Sequence, residues 1–307
     1  MTQNLAKLLL GLQNKDRKSI AKSISLIEND KKIARQIINQ IYKKTSASLI
    51  LGITGPAGAG KSSLINIISL ELKKLGMNPA ILAIDPTSHI SGGAILGDRI
   101  RMNELANNGV YIRSIASRGA TGAISNSIYN IIRILEYTGF DPIIVESVGA
   151  GQTEIEISNI SDVTIVVFNP NTGDNIQTIK AGITEIGDIY VVNKSDLRGS
   201  LQLYKSIQDY IGESKTVLLT STKTKKGVDK LMQTIQKFLN EKNKMKKLNN
   251  KSKVKHELRD IVLNNIKEKI DMELQSKKIL KYLELVELKK IDIFKAADQV
   301  SNLLIKC

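Results

Sequence analysis

Tryptophan is absent from the 307 residues, and aromatic side chains together make up only 4% of them. Ile, Leu and Val must therefore fill the core, and no stacking platform for single-stranded nucleic acid is evident. The one cysteine is the last residue, Cys307. That placement excludes an internal disulfide and does not suit prenylation, so the thiol is read as inert. Histidine is nearly as scarce, with only His89 and His256 present. Two scattered imidazoles and a terminal thiol are too few for a soft-metal delivery site. No apolar run reaches the roughly 20 residues of a membrane-spanning helix, and the beginning lacks the charged, apolar and small-residue regions of a secretory signal. The expectation is a soluble, cytoplasmic protein that contacts no membrane.

What is plentiful is lysine and isoleucine. Forty-five Lys and Arg against 30 Asp and Glu give a net charge of +15. Lysine-rich solvated helix faces account for this excess, and no nucleic-acid partner is expected, although the charge alone admits one. A hydrophobic share of 42% with 24% charged residues is that of a globular chain. The length suits one large α/β domain with helical additions, or two modest domains.

Along residues 1–46 the pattern is helical. Ile20, Ile24 and Ile27 share one face, Ile33, Ile37 and Ile41 continue the period, and basic residues take the opposite side. Asp16, Arg17 and Lys18 before that stripe resemble the start of a basic targeting helix, but a packed helical appendage is the simpler reading. From Ser48 onward, short apolar runs alternate with helical patterns: 49–53, 80–84, 110–115, 143–145, 163–167, 189–192 and 217–219. Runs of this length bounded by Gly, Pro, Asn and Asp read as buried parallel strands, which predicts a doubly wound α/β sheet flanked by helices over residues 47–241. Residues 241–255 are dense in Lys and Asn and read as a linker or exposed helix. Leu258, Val262, Ile266, Ile270 and Leu274 then recur every four residues, so residues 242–307 read as a linker and helical arm. That apolar stripe needs a cover, either the main domain or a second copy of the chain.

The strongest chemical signal is Gly55-Pro56-Ala57-Gly58-Ala59-Gly60-Lys61-Ser62, extended by Ser63. It fits the P-loop pattern and sits after a predicted strand and before a helical run, as that motif requires. Glycines let backbone N–H groups approach phosphate, the helix N-terminus adds its dipole, Lys61 reaches the β and γ phosphates, and the Ser62 hydroxyl can ligate Mg²⁺. Asn193-Lys194-Ser195-Asp196 follows another buried strand and matches N-K-x-D, the guanine-reading element of G proteins. The Asp196 carboxylate can accept from guanine N1 and N2, a donor pair that adenine lacks. Ser221, Thr222 and Lys223, after the last strand, can form a supporting base loop. GTP and GDP are the expected ligands.

Acids at strand ends beside a P-loop are placed to hold Mg²⁺ and orient the attacking water. Asp85 and Glu146 fit that description. Asp98, in a glycine-rich stretch, is equally a turn acid. Glu146-Ser147-Val148-Gly149 takes the place of the usual D-x-x-G, with Glu for Asp, and Gln152 lies three residues after Gly149. Gln152 is therefore not assigned as a water-orienting residue.

Several longer stretches resemble one family. Ile84-Asp85-Pro86-Thr87-Ser88, Gly92 through Asp98, Ser117-Arg118-Gly119, Val145 through Glu154, and Gly173-Asp174 leading to Lys180-Ala181-Gly182-Ile183 are similar to the MeaB/ArgK GTPases, chaperones of methylmalonyl-CoA mutase. Against that family Glu146 is a hallmark. The resemblance covers nearly the whole chain and is weakest beyond about Lys242. It implies a SIMIBI-class GTPase whose nucleotide state gates loading of adenosylcobalamin into an acyl-CoA mutase and protects that enzyme. It further implies a magnesium and hydrolysis site at Lys61, Asp85, Asp98 and Glu146, a switch around 173–180 with Lys180 near the phosphates, and a homodimer formed through the C-terminal arm. Alternatives are a nickel-inserting GTPase, a kinase of transport proteins and a ribosome-associated GTPase.

Overall fold

The computed structural model describes residues 3–85, 105–116, 127–147, 152–171, 184–213 and 215–305. Contacts divide the chain into two units, Met1–Lys253 and Val254–Cys307.

Three helices open the larger unit: α1 (Gln3–Gln13), α2 (Arg17–Asn29) and α3 (Lys31–Ile41). Their boundaries are set by aspartates. Asp16 accepts from the Ser19 N–H at 2.9 Å and the Lys18 N–H at 3.4 Å, and Asp30 accepts from the Lys32 and Ile33 N–H groups at 2.9 and 3.0 Å. Each carboxylate thereby satisfies amides that a helix start leaves without partners. Hydrogen bonds from Ser19, through its hydroxyl and then its amide, hold the Asp16 carboxyl below its usual range.

A seven-stranded sheet follows: β1 (Ile50–Thr54), β2 (Ala80–Asp85), β3 (Tyr111–Ala116), β4 (Ile143–Ser147), β5 (Val163–Phe168), β6 (Ile189–Val192) and β7 (Thr216–Leu219). Every pairing is parallel and the strand order is β3-β2-β4-β1-β5-β6-β7. All seven apolar runs expected to be strands are strands, and the doubly wound α/β class holds. Parallel strands need both faces covered, which is why they read as unbroken apolar runs rather than as alternating patterns.

Period-two alternation still sorts the side chains between faces. Ile50, Leu82, Ile143 and Val145 join a core with Leu12, Ile20, Ile24 and Ile37 of the opening helices and with α5 (Ser127–Tyr137). On the other face Leu51, Ile53, Ile81, Ile144, Val163 and Ile165 meet α4 (Lys61–Lys74) and the first turns of α8 (Val228–Leu274). Two further long helices of this unit are α6 (Gln152–Ile160) and α7 (Ser200–Ile211), the latter packed on β5 and β6. The N-terminal helices therefore share one hydrophobic core with the sheet. Arg113 on β3 ties the two layers, donating to Glu28 at 2.9 Å and Ser25 at 3.0 Å.

The Lys- and Asn-rich stretch expected as a linker or exposed helix is continuous helix inside the 47-residue α8. Near the end of the larger unit, the Lys253 ammonium meets the buried Asp162 carboxylate, which also accepts from the Ile50 N–H. The smaller unit holds the rest of α8, α9 (Lys277–Glu287) and α10 (Ile293–Ile305), with Ile279 and Ala296 buried. Leu258, Val262, Ile266, Leu283 and Phe294 are exposed there. No helix among the described residues is long and apolar enough to cross a membrane.

Candidate functional site

β1 lies at the centre of the sheet, between β4 and β5, so the loop leaving its carboxyl end opens where neighbouring connections diverge. Thr54 ends the strand and Lys61 begins α4, leaving Gly55–Gly60 as the loop. Gly55 is required by close approach, because a side chain there would run into the Val167 carbonyl of β5. Gly60 sits at the start of α4 with φ +89° and no side-chain cap, so the first amides of α4 face the loop. The Lys61 side chain is buried back along the loop, its ammonium donating to the carbonyls of Gly55 at 2.7 Å and Pro56 at 3.0 Å.

Beside this loop, the Ser62 hydroxyl donates to Glu146 Oε1 at 2.7 Å. Glu146 stands near the end of β4, paired with Ile53 of β1 and Ala83 of β2. One residue on, Ser147 and Thr54 share a buried hydroxyl contact of 2.8 Å. A hydroxyl and a carboxylate converging beside a P-loop are hard oxygen donors, the chemistry that Mg²⁺ takes. Among the described residues no cluster of three His, Cys, Asp or Glu forms a metal site by itself. The Ser62 hydroxyl and the Glu146 carboxylate fit such an ion by their donor chemistry. Asp85 closes β2 at the same end of the sheet. Asp98 and Lys180 lie outside the described residues, as do the stretches 86–98, 117–119 and 173–183 that carried part of the family resemblance.

The N-K-x-D segment emerges from β6 on the other side of the loop and is bonded directly to it. Asn193, fully buried, donates through Nδ2 to the Ala59 carbonyl at 3.0 Å and accepts from Thr220 Oγ1 at 3.3 Å. Lys194, with φ +56°, donates to the Gly58 carbonyl at 2.8 Å. Asp196 projects beyond them and accepts from Ser221 Oγ at 2.6 Å. That bond, helped by the backbone and by the positive charges of Lys223 and Lys194, holds the Asp196 carboxyl below its usual range. An acceptor-only carboxylate is thus kept in the loop expected to read a base. Ser221 is in turn fixed by its backbone N–H, which donates to the Lys226 carbonyl at 2.9 Å. Ser63, Thr222 and Lys223 line a groove of about 1150 Å³ alongside α4.

The structure brings Gly55 through Ser63, Glu146, Asn193, Lys194, Asp196 and Ser221 through Lys223 to one end of the sheet. Sequence reading missed Asn169, which follows β5 and donates to the Gly58 carbonyl at 3.1 Å. Its only signal was an amide side chain directly after a buried strand.

The family description "Methylmalonyl Co-A mutase-associated GTPase MeaB" matches residues 20–275. The chain belongs to the MeaB family. A Pyrococcus horikoshii protein named as a GTPase is 38% identical over 97% of this chain and 98% of its own length. The GTPase ArgK of Escherichia coli is 32% identical over 76% of each chain. A crystal structure described as an LAO/AO transport system kinase superposes with a TM-score of 0.71 over 99% of both chains at 23% identity, a likeness of fold. MeaB proteins are P-loop GTPases, and this chain is a GTPase of that family that takes GTP and GDP.

Proposed function

We propose that this MeaB-family GTPase is the chaperone of a cobalamin-dependent acyl-CoA mutase, with methylmalonyl-CoA mutase the first candidate. Its nucleotide state would gate adenosylcobalamin loading and protect the loaded enzyme. The observation that carries the reading is the match of residues 20–275 to a family described by its association with that mutase. The bonds from Asn193 and Lys194 to the P-loop carbonyls support this reading, because they join the proposed phosphate and base elements so that one nucleotide would engage both.

In this reading Lys61 and the amides of Gly55 through Ser63 bind the phosphates, and Asp196 accepts from the guanine edge with support from Asn193, Lys194, Ser221, Thr222 and Lys223. Ser62 and Glu146, with Asp85 and Asp98, hold Mg²⁺, which neutralises charge on the phosphates when bound. Glu146, Asp85 and Asp98 also order the attacking water. Lys180 completes the phosphate site. A γ-phosphate contact with switch segments would convert hydrolysis into a change of partner surface.

The exposed Leu258, Val262 and Ile266 support covering by a second copy, hence a homodimer. The functional division is residues 1–46 as helical extension, 47–241 as GTP-binding domain and 242–307 as arm, and the protein is assigned to the cytoplasm. Phosphate release from GTP and from ATP, with Mg²⁺ and with or without methylmalonyl-CoA mutase, tests the proposal. GTP-selective release that the mutase accelerates is expected, with Lys61→Ala roughly a hundredfold slower. Release indifferent to the mutase would reject the chaperone role and leave a GTPase with another partner.

A further inference from the structure

Three side chains from two strand ends converge on two adjacent carbonyls of the P-loop. Asn193 and Lys194 belong to the guanine-reading motif and take the carbonyls of Ala59 and Gly58. The third, Asn169, belongs to no nucleotide motif. It is 1% exposed, and both ends of its amide are committed. Nδ2 donates to the Gly58 carbonyl at 3.1 Å, and Oδ1 accepts from the Asn171 N–H at 2.8 Å.

Gly58 is the position at which such a hold matters most. Its φ is +74°, and a Cβ built on it would meet nothing within 4 Å. Glycine is therefore used there for backbone freedom and not for space, and a glycine in open surroundings has other conformations within reach. Nothing in its own side chain or packing selects one. In a trans peptide the carbonyl and the following N–H point in opposite directions. Fixing the Gly58 oxygen toward the strand ends thus turns the Ala59 N–H into the loop, where it donates to the Pro56 carbonyl with an N···O distance of 3.3 Å. The bond of Asn193 to the Ala59 oxygen orients the Gly60 N–H in the same way. The clamp also draws two carbonyl oxygens, which repel an anion, away from the concave side of the loop.

We propose that Asn169 is a positioning residue of the phosphate site, holding the Gly58 peptide in the orientation that binds a nucleoside diphosphate. Lys194 reaches the same oxygen on a long, flexible stem, whereas Asn169 reaches it from a buried strand end, so Asn169 sets the rest position of the loop. The inference rests on the nucleotide-binding reading of this site.

Two variants of the full chain separate the roles of the amide. Asn169→Asp keeps the size and the acceptor for the Asn171 N–H, but it replaces the donor to Gly58 with a carboxylate oxygen facing a carbonyl. Asn169→Ser removes the reach to Gly58 without adding charge. In titrations with GDP and Mg²⁺, affinity is expected to fall more than about tenfold for Asn169→Asp and roughly three- to tenfold for Asn169→Ser, the effect of one hydrogen bond. The loss should fall on KM for GTP, with kcat within about twofold, as expected when uniform binding is removed. Wild-type GDP affinity in Asn169→Asp would overturn the proposal. If that variant does not fold, Asn169→Ser decides, and unchanged affinity overturns it equally. Hydrogen exchange at the Ala59 and Gly60 amides of the nucleotide-free protein gives an independent reading, with faster exchange in Asn169→Ser expected and unchanged exchange refuting the clamp. Should the wild type bind neither GDP nor GTP, the nucleotide reading fails while the exchange result still judges the clamp.

Discussion

Two glycines two positions apart in one loop are predicted to tolerate alanine very differently. Gly58 and Gly60 both have left-handed backbones, with φ of +74° and +89°. An alanine in that region costs about 1–2 kcal/mol through its Cβ alone. At Gly58 nothing else is in the way, so that figure is the whole penalty. At Gly60 the new Cβ lands on the Asn193 amide nitrogen. Asn193 is fully buried and holds the Ala59 carbonyl, so displacing it strands buried polar groups at a further cost of about 1–3 kcal/mol. The totals are about 1–2 kcal/mol for Gly58→Ala and about 2–5 kcal/mol for Gly60→Ala. In thermal unfolding of the nucleotide-free protein, Gly60→Ala should melt about 2–12 °C below Gly58→Ala. Combining Gly60→Ala with Asn193→Ala removes the collision, so the double variant should be more stable than the sum of the singles. Equal melting temperatures for the two alanines, or strict additivity in the double variant, would refute the packing argument.

Other outcomes follow from the same structure. Leu12→Ala, in the first helix yet fully buried against the shared core, should cost about 2–5 kcal/mol and lower a single unfolding transition, whereas an independent N-terminal layer would unfold in a transition of its own. Asp196 has a carboxyl held below its ordinary 3.8, so its ionised form persists as pH falls to that depressed value and is lost only below it. Ser221→Ala removes the largest cause, and the acid limb of GDP affinity should move to higher pH; an unmoved limb would separate Asp196 from base binding. Burial pushes the Tyr190 hydroxyl up to about 12 from 10.0. Between those values the folded chain holds a proton that the unfolded chain has released, so stability falls as pH rises through the window, and Tyr190→Phe should flatten that alkaline loss in melting curves.

The strands were legible because a parallel sheet buries both faces, and runs such as Val163–Phe168 are apolar but for the single Thr164. The P-loop and N-K-x-D were legible because their residue types are dictated by phosphate and guanine chemistry. What escaped was the frame between them. Asn169 carries no pattern, since its role depends on β5 lying beside β1, a neighbour relation that sequence spacing does not express. The Arg113 contact with Glu28 was hidden for the same reason, its partners lying 85 residues apart. The long α8 was only half read. Its Lys- and Asn-rich middle lacks an apolar stripe, so periodicity gave no signal while helix propensity carried the chain through.

The central position of β1 has a consequence for how the protein comes into being. The donors that hold the carbonyls of Gly58 and Ala59 lie 111, 134 and 136 residues further along the chain. A ribosome adding about 5–20 residues per second needs roughly 7–27 s to supply the last of them. During that interval the nascent chain carries a complete P-loop sequence without the frame that shapes it. The frame that shapes the P-loop is therefore complete only once Lys194 has been made, and a nucleotide site that depends on it is assembled late in synthesis.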